Sequence, residues 1–216
     1  MMIMKYSISV VKVWSFALLG WVCAGGGVWA APNPTEVVRQ GVEEVLAVVK
    51  DKSMEPAERR RAIGRKMREV VDRHFDFRSM SQSVLAIHWQ KASAYERERF
   101  VEFFAEHLEQ TYLDAIESYT DEKIRYSAER IEGNRAVVDT TIRSAKAETP
   151  VSYKMKLNDG EWFVYDVVIE NASLVNNYRT LYAGIIKTEG IGGLLDSLEG
   201  KIQAYKKQRN GDARPR

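Results

Sequence analysis

Apolar residues along this chain recur first every three or four positions and later every two. Val38, Val42, Val45, Leu46 and Val49 form one stripe at helical spacing, introduced by Asn33-Pro34, a cap residue followed by a proline suited to a first turn. Pro56 opens a second stretch, with Ile63, Met67, Val70 and Val71 on one side and the basic run 59–61 on the other. The strongest helical signal follows Ser93. With Glu96 this residue makes an S-x-x-E capping box. Phe100, Phe103, Phe104, Leu108, Tyr112, Ile116 and Tyr119 then recur at three and four residues, predicting a long helix with a bulky aromatic stripe.

The second half changes period. Residues 123–128 and 136–143 read as short strands joined by a turn at Gly133-Asn134. Val151, Tyr153, Met155 and Leu157 alternate with Ser152, Lys154, Lys156 and Asn158, giving one apolar and one polar face. Asn158-Asp159-Gly160 predicts a tight hairpin into a last strand that starts at Trp162. There the alternation fails: Phe163, Val164, Tyr165, Val167, Val168 and Ile169 populate both faces, so neither looks simply solvated. Asn171 and Ser173 supply turn and cap chemistry. The rest, through Tyr182, Ile186, Leu194 and Leu198, reads as two helices broken at Gly190, Gly192 and Gly193. Helices first and a meander second predict an α+β fold: a helical first half whose long aromatic helix packs on a curved, mostly antiparallel four-stranded sheet, with an apolar cavity between them.

The ends refine this picture. Lys5 and Lys12, the apolar stretch 13–22 and Val28-Trp29-Ala30 have the layout of a cleavable export signal, residues 1–30. The apolar stretch is short for a bilayer span, and cleavage after Ala30 or Ala31 removes the only cysteine, Cys23, so the mature chain needs no disulfide. The expected organisation is a signal at 1–30, one domain at 31–204 and a basic, disordered tail at 205–216. The whole chain has 32 Lys+Arg against 30 Asp+Glu, and losing Lys5 and Lys12 leaves 30 against 30. That balance lacks the basic footprint of a nucleic-acid binder.

No catalytic constellation emerges. His74, His88 and His107 lie in no metal-ligand spacing, and there is no nucleophile elbow, phosphate-cradling loop or dinucleotide fingerprint. Asp166, inside an apolar strand, is open to two readings. It is a general base with a raised pKa, or a carboxylate satisfied by hydrogen bonds at a strand end, with Arg179 as its partner. No cofactor or metal is expected.

Three stretches share wording with one family. Trp162, Val164, Tyr165, Asp166, Val167, Ser173, Leu174, Val175, Asn177, Tyr178 and Arg179 fit a W-x-V-Y-D-V-x5-S-L-V-x-N-Y-R pattern. Phe75, Asp76, Phe77 and Met80 fit an F-D-F-x-x-M helix entry, continued by Leu85 and Trp89. In these the chain resembles the MlaC, or toluene-tolerance, family of periplasmic phospholipid carriers. The resemblance implies a periplasmic protein that holds a glycerophospholipid by its acyl chains. It implies two partners, an outer-membrane lipoprotein/porin complex and an inner-membrane ABC transporter with an MCE-domain subunit. A hopanoid or other polycyclic lipid is the alternative cargo. Helix and strand patterning places the expected lining at Trp89, Phe104, Tyr112, Val138, Tyr153, Tyr165, Val167, Ile169, Tyr178 and Tyr182.

Overall fold

A computed structural model describes residues 32–119, 121–144 and 147–212; the expected export signal lies outside them. Five helices come first: α1 (Pro34–Lys50), α2 (Pro56–His74), α3 (Phe77–Leu85), α4 (Ile87–Lys91) and α5 (Ala94–Glu117). Strands β1 (Lys123–Glu132), β2 (Arg135–Arg143), β3 (Glu148–Asn158), β4 (Glu161–Ile169) and β5 (Ala172–Ser173) follow, and α6 (Leu174–Asp212) comes last. The helix starts obey their capping signals. Asn33 accepts the Glu36 N–H ahead of Pro34, and both halves of the Ser93/Glu96 box are made at the head of the 24-residue α5. The third helix does not run unbroken to Trp89. Ala86 takes φ 49°, ψ −119°, ending α3 and starting the short α4.

The strands form one antiparallel meander in the order β1-β2-β3-β4-β5. The fifth, beyond the expected four, is two residues paired with Val168 and Ile169. Its cause is local: Glu170 and Asn171 both take positive φ and turn the chain back on itself. The hairpin at Asp159-Gly160 also has positive φ at both central residues, 50° and 84°, so its twist matches the strands it joins. The edge of β4 is covered further along by Phe75, which bridges Val164, and by the Asp76 N–H, which donates to the Val164 carbonyl at 2.9 Å.

Three apolar clusters make the interior. Met80, Leu85, Trp89, Phe100, Phe104 and Leu108 meet Tyr182, Ile186, Leu194 and Leu198 between α3, α4, α5 and α6. Val37 and Val38 of α1 meet Val138, Met155, Trp162, Val164 and Val167 of the sheet. Val49, Ile63, Met67 and Leu113 join α1, α2 and α5.

α6 is two helices. Gly190, at φ 72° and ψ −177°, stands in a region that only glycine adopts without strain, and it alone interrupts the helical dihedrals. Gly192 and Gly193 stay helical, but a Cβ on Gly193 would sit 2.4 Å from that of Glu189. Before the break, Tyr178 lies beside His107 and Tyr182 beside Phe100, so the first half runs antiparallel to α5. After it, Glu199 pairs with Arg99, Lys206 with Glu106 and Arg209 with Glu117, so the second half returns parallel to α5. The expected disordered tail therefore begins as packed helix, because Lys206 and Arg209 find acidic partners on α5; residues 213–216 lie outside the described ones. Among the described residues no helix is long and apolar enough to cross a membrane.

Candidate functional site

One wall of the site is the inner face of the sheet. Ala136, Met155 and Val164 stand side by side across β2, β3 and β4, and so do Val138, Tyr153 and Val167, and Thr140, Val151 and Ile169. Val164 and Val167 are an odd number of residues apart, yet directly paired residues share a face. A bulge reconciles the two: the register shifts between Lys154 and Met155, and β4 spends one extra residue opposite them. That extra residue resets the alternation, which is why the sequence around Trp162 looks apolar on both sides. It also decides where one expected lining residue packs. Tyr165 lies outside both the helical and the sheet clusters, where Arg135 donates to its hydroxyl at 3.2 Å and lies 5.5 Å over its ring. Of the other expected sheet residues, Val138 and Val167 are buried, while Tyr153 and Ile169 keep partial exposure.

The opposite wall is aromatic. Phe100 and Phe104 stack at 5.5 Å on successive turns of α5. Tyr178 and Tyr182 of α6 meet Phe104 edge-on at 5.3 and 6.2 Å, and each other at 5.4 Å. His107 touches the Tyr178 ring edge at 5.7 Å; burial and the nearby Lys201 depress its pKa. Trp89 joins the same cluster, with the guanidiniums of Arg78 and Arg97 5.9 and 5.6 Å from its ring.

The two walls meet along a seam. Phe75 and Tyr112 pack against both the helical and the sheet cluster, and Tyr112 also reaches the third. Both remain partly exposed, as does Tyr178. Tyr153 sits deep enough that desolvation, helped by neighbouring Tyr126 and opposed by a hydrogen bond with Thr140, pushes its phenol up to about 12. It keeps accessible surface nonetheless. These rings are therefore neither sealed in a core nor fully solvated. Of the expected lining, Tyr112, Tyr153, Ile169 and Tyr178 keep partial exposure, while Trp89, Phe104, Val138, Val167 and Tyr182 are buried packing. Phe75, outside the expected lining, joins both clusters, and its place in the F-D-F motif between two elements is the sequence signal for that.

Asp166 resolves in favour of hydrogen bonding. Its carboxylate, 5% exposed by residue, accepts from Ser173 Oγ at 2.8 Å, Lys154 Nζ at 3.0 Å and the Val175 N–H at 3.2 Å. Arg179 is not its partner, because its Nε donates to the Ser83 carbonyl at 2.8 Å and ties α6 to α3. Among the described residues no group of three or more His, Cys, Asp or Glu is placed to hold a metal ion. Two open clefts between α2, α5 and the end of α6 are lined by Arg60, Asp114, Glu117, Arg209 and similar charged side chains, which suits an acyl chain poorly.

Comparison with known proteins adds to this geometry. The family model described as MlaC protein matches residues 39–200. The intermembrane phospholipid transport system binding protein MlaC of Haemophilus influenzae is 28% identical over 122 residues, which are 54% of this chain and 57% of that protein. The chain thus spans little more than half of that relative. Toluene tolerance protein ttg2D of Pseudomonas putida is 24% identical over 182 residues, 82% of this chain and 85% of its own. Among solved structures, a phospholipid-binding protein of Ralstonia solanacearum in complex with a phospholipid superposes with a TM-score of 0.70 at 22% identity. That match covers 79% of this chain and 97% of the other and shows a shared fold.

Proposed function

This chain belongs to the MlaC family, and on that premise we propose that it is a periplasmic carrier that holds glycerophospholipid by its acyl chains and ferries it between the two membranes of the envelope. One observation carries the proposal: two extensive apolar clusters share Phe75 and Tyr112, and these two rings, with Tyr153 on one side and Tyr178 on the other, keep accessible surface. An acyl chain in water exposes apolar surface worth about 0.8 kcal/mol per methylene, on the order of 10 kcal/mol for a long chain. A carrier offsets that with dry contacts and few polar ones, which the two apolar clusters supply. The outer-membrane lipoprotein/porin complex would supply or accept the lipid at one end and the inner-membrane MCE-domain ABC transporter at the other. The lipid is cargo rather than cofactor. The engagement of Asp166 in holding the start of α6 supports a non-enzymatic role.

Native mass spectrometry of protein purified without detergent tests the reading. The wild-type protein is expected to carry phospholipid, whereas Ile169→Asp, a carboxylate on the half-exposed part of the wall, is exported and folded but empty. Val167 is a poorer target, since at 7% exposure a charge there unfolds the sheet core. An empty wild-type protein overturns the carrier, and a polycyclic lipid in place of phospholipid changes its cargo class.

A further inference from the structure

The aromatic wall contains a polar group that packing does not explain. Tyr182, 1% exposed, has a hydroxyl with no hydrogen-bond partner among the described residues. Its ring is held by Phe100, Phe104 and Tyr178, and each of those contacts would serve a phenylalanine equally well. A buried hydroxyl without a partner is unfavourable, and native proteins keep few of them without a reason. Ser81 Oγ on α3 and His74 Nε2 at the end of α2 are further such groups among the described residues, but of the three it is Tyr182 whose ring lies in the aromatic wall. Its phenol lies within electrostatic reach of that of Tyr178, and Tyr178 within reach of Tyr112. Tyr178 is answered by Thr111, whose own hydroxyl donates to the His107 carbonyl at 2.7 Å. Three phenols therefore step from the dry wall to the accessible seam, and the innermost lacks a partner.

Resting on the carrier reading, we propose that Tyr182 Oη donates a hydrogen bond to an ester carbonyl of the carried lipid, so that the site selects ester-linked over ether-linked chains. The chemistry is restrictive. A charged phosphate is too costly to bring into an aromatic wall, and methylenes accept nothing. The uncharged acceptors that a diacyl glycerophospholipid places next to its chains are its two ester carbonyls. A phenol is a donor that meets such a carbonyl without adding charge, and Tyr112 and Tyr178 leave a polar route from there to the glycerol and head group. The arrangement sets how deep the chains enter.

The test is a competition for lipid-stripped protein between dioleoyl phosphatidylglycerol and its di-O-oleyl ether analogue at equal concentration, read by native mass spectrometry. Wild type should favour the diester about tenfold, the effect of one neutral hydrogen bond whose loss leaves a buried group unpaired. Tyr182→Phe should bring the ratio to about one, with a thermal midpoint equal to or above that of wild type. The proposal is overturned if wild type takes both lipids equally, or if the phenylalanine variant keeps the preference. Uptake of neither lipid sinks the carrier reading itself, and this inference with it.

Discussion

Asp166 shows how a single buried carboxylate can be assigned by magnitude. Its side chain is 7% exposed and holds the start of α6 through the Val175 N–H and Ser173 Oγ, while Lys154, 38% exposed, approaches from solvent. The Lys154 pair is half-solvated and screened, so it is worth about 0.2–1 kcal/mol. The two helix-start contacts are charge-assisted, shielded from water, and placed where a helix N-terminus favours negative charge. Together they should contribute about 2–4 kcal/mol. Asp166→Ala should therefore cost about 3 kcal/mol, or roughly 6–12 °C in Tm for a chain of this length. Asp166→Asn keeps an acceptor and loses the charge, for about 1–1.5 kcal/mol. Lys154→Met should cost less than about 1 kcal/mol. Urea unfolding followed by circular dichroism at neutral pH, with the m-value unchanged, measures all three. If Lys154→Met costs as much as Asp166→Ala, the ion pair and not the helix start is what Asp166 serves. A catalytic base would behave oppositely, with Asp166→Asn sparing stability and erasing turnover.

Gly190→Ala should cost about 1–3 kcal/mol from backbone strain alone, since a Cβ there meets nothing within 4 Å; a melting temperature within a degree of wild type would contradict the break described for α6. Burial, with Lys201 nearby, lowers the pKa of His107 below its ordinary 6.5, and burial with Arg73 nearby does the same for His74. The unfolded chain then binds more protons than the folded one just below pH 6.5, so stability should fall as pH drops from 6.5 through the folded values. His107→Gln should flatten part of that slope in pH-dependent urea titrations and leave the share owed to His74; an unchanged slope would exclude His107 as its source.

The local rules were enough for much of this protein. One capping box, the Asn33 cap, prolines and three-four periodicity placed α1, α2 and α5, and the Asn158-Asp159-Gly160 turn placed the hairpin, because each depends on residues within a few positions of one another. Family wording carried the functional reading, because its motifs survive as strings. What stayed hidden depended on neighbours far along the chain. The bulge opposite Lys154 and Met155, visible only once β3 and β4 are paired, decides that Val167 and Ile169 join the inner wall while Tyr165 goes elsewhere. Arg179 lies thirteen residues from Asp166 and was the natural partner on paper, but the helix start at Leu174 turns it toward Ser83 and leaves Asp166 to the backbone of that helix. The tail looked solvated by composition, yet folding back at Gly190 brings its Lys206 and Arg209 against acidic positions of α5. Sequence periodicity determined which residues were apolar and on which kind of element; tertiary packing alone decided which of them meet at the seam, because a face acquires its role only from what is laid against it.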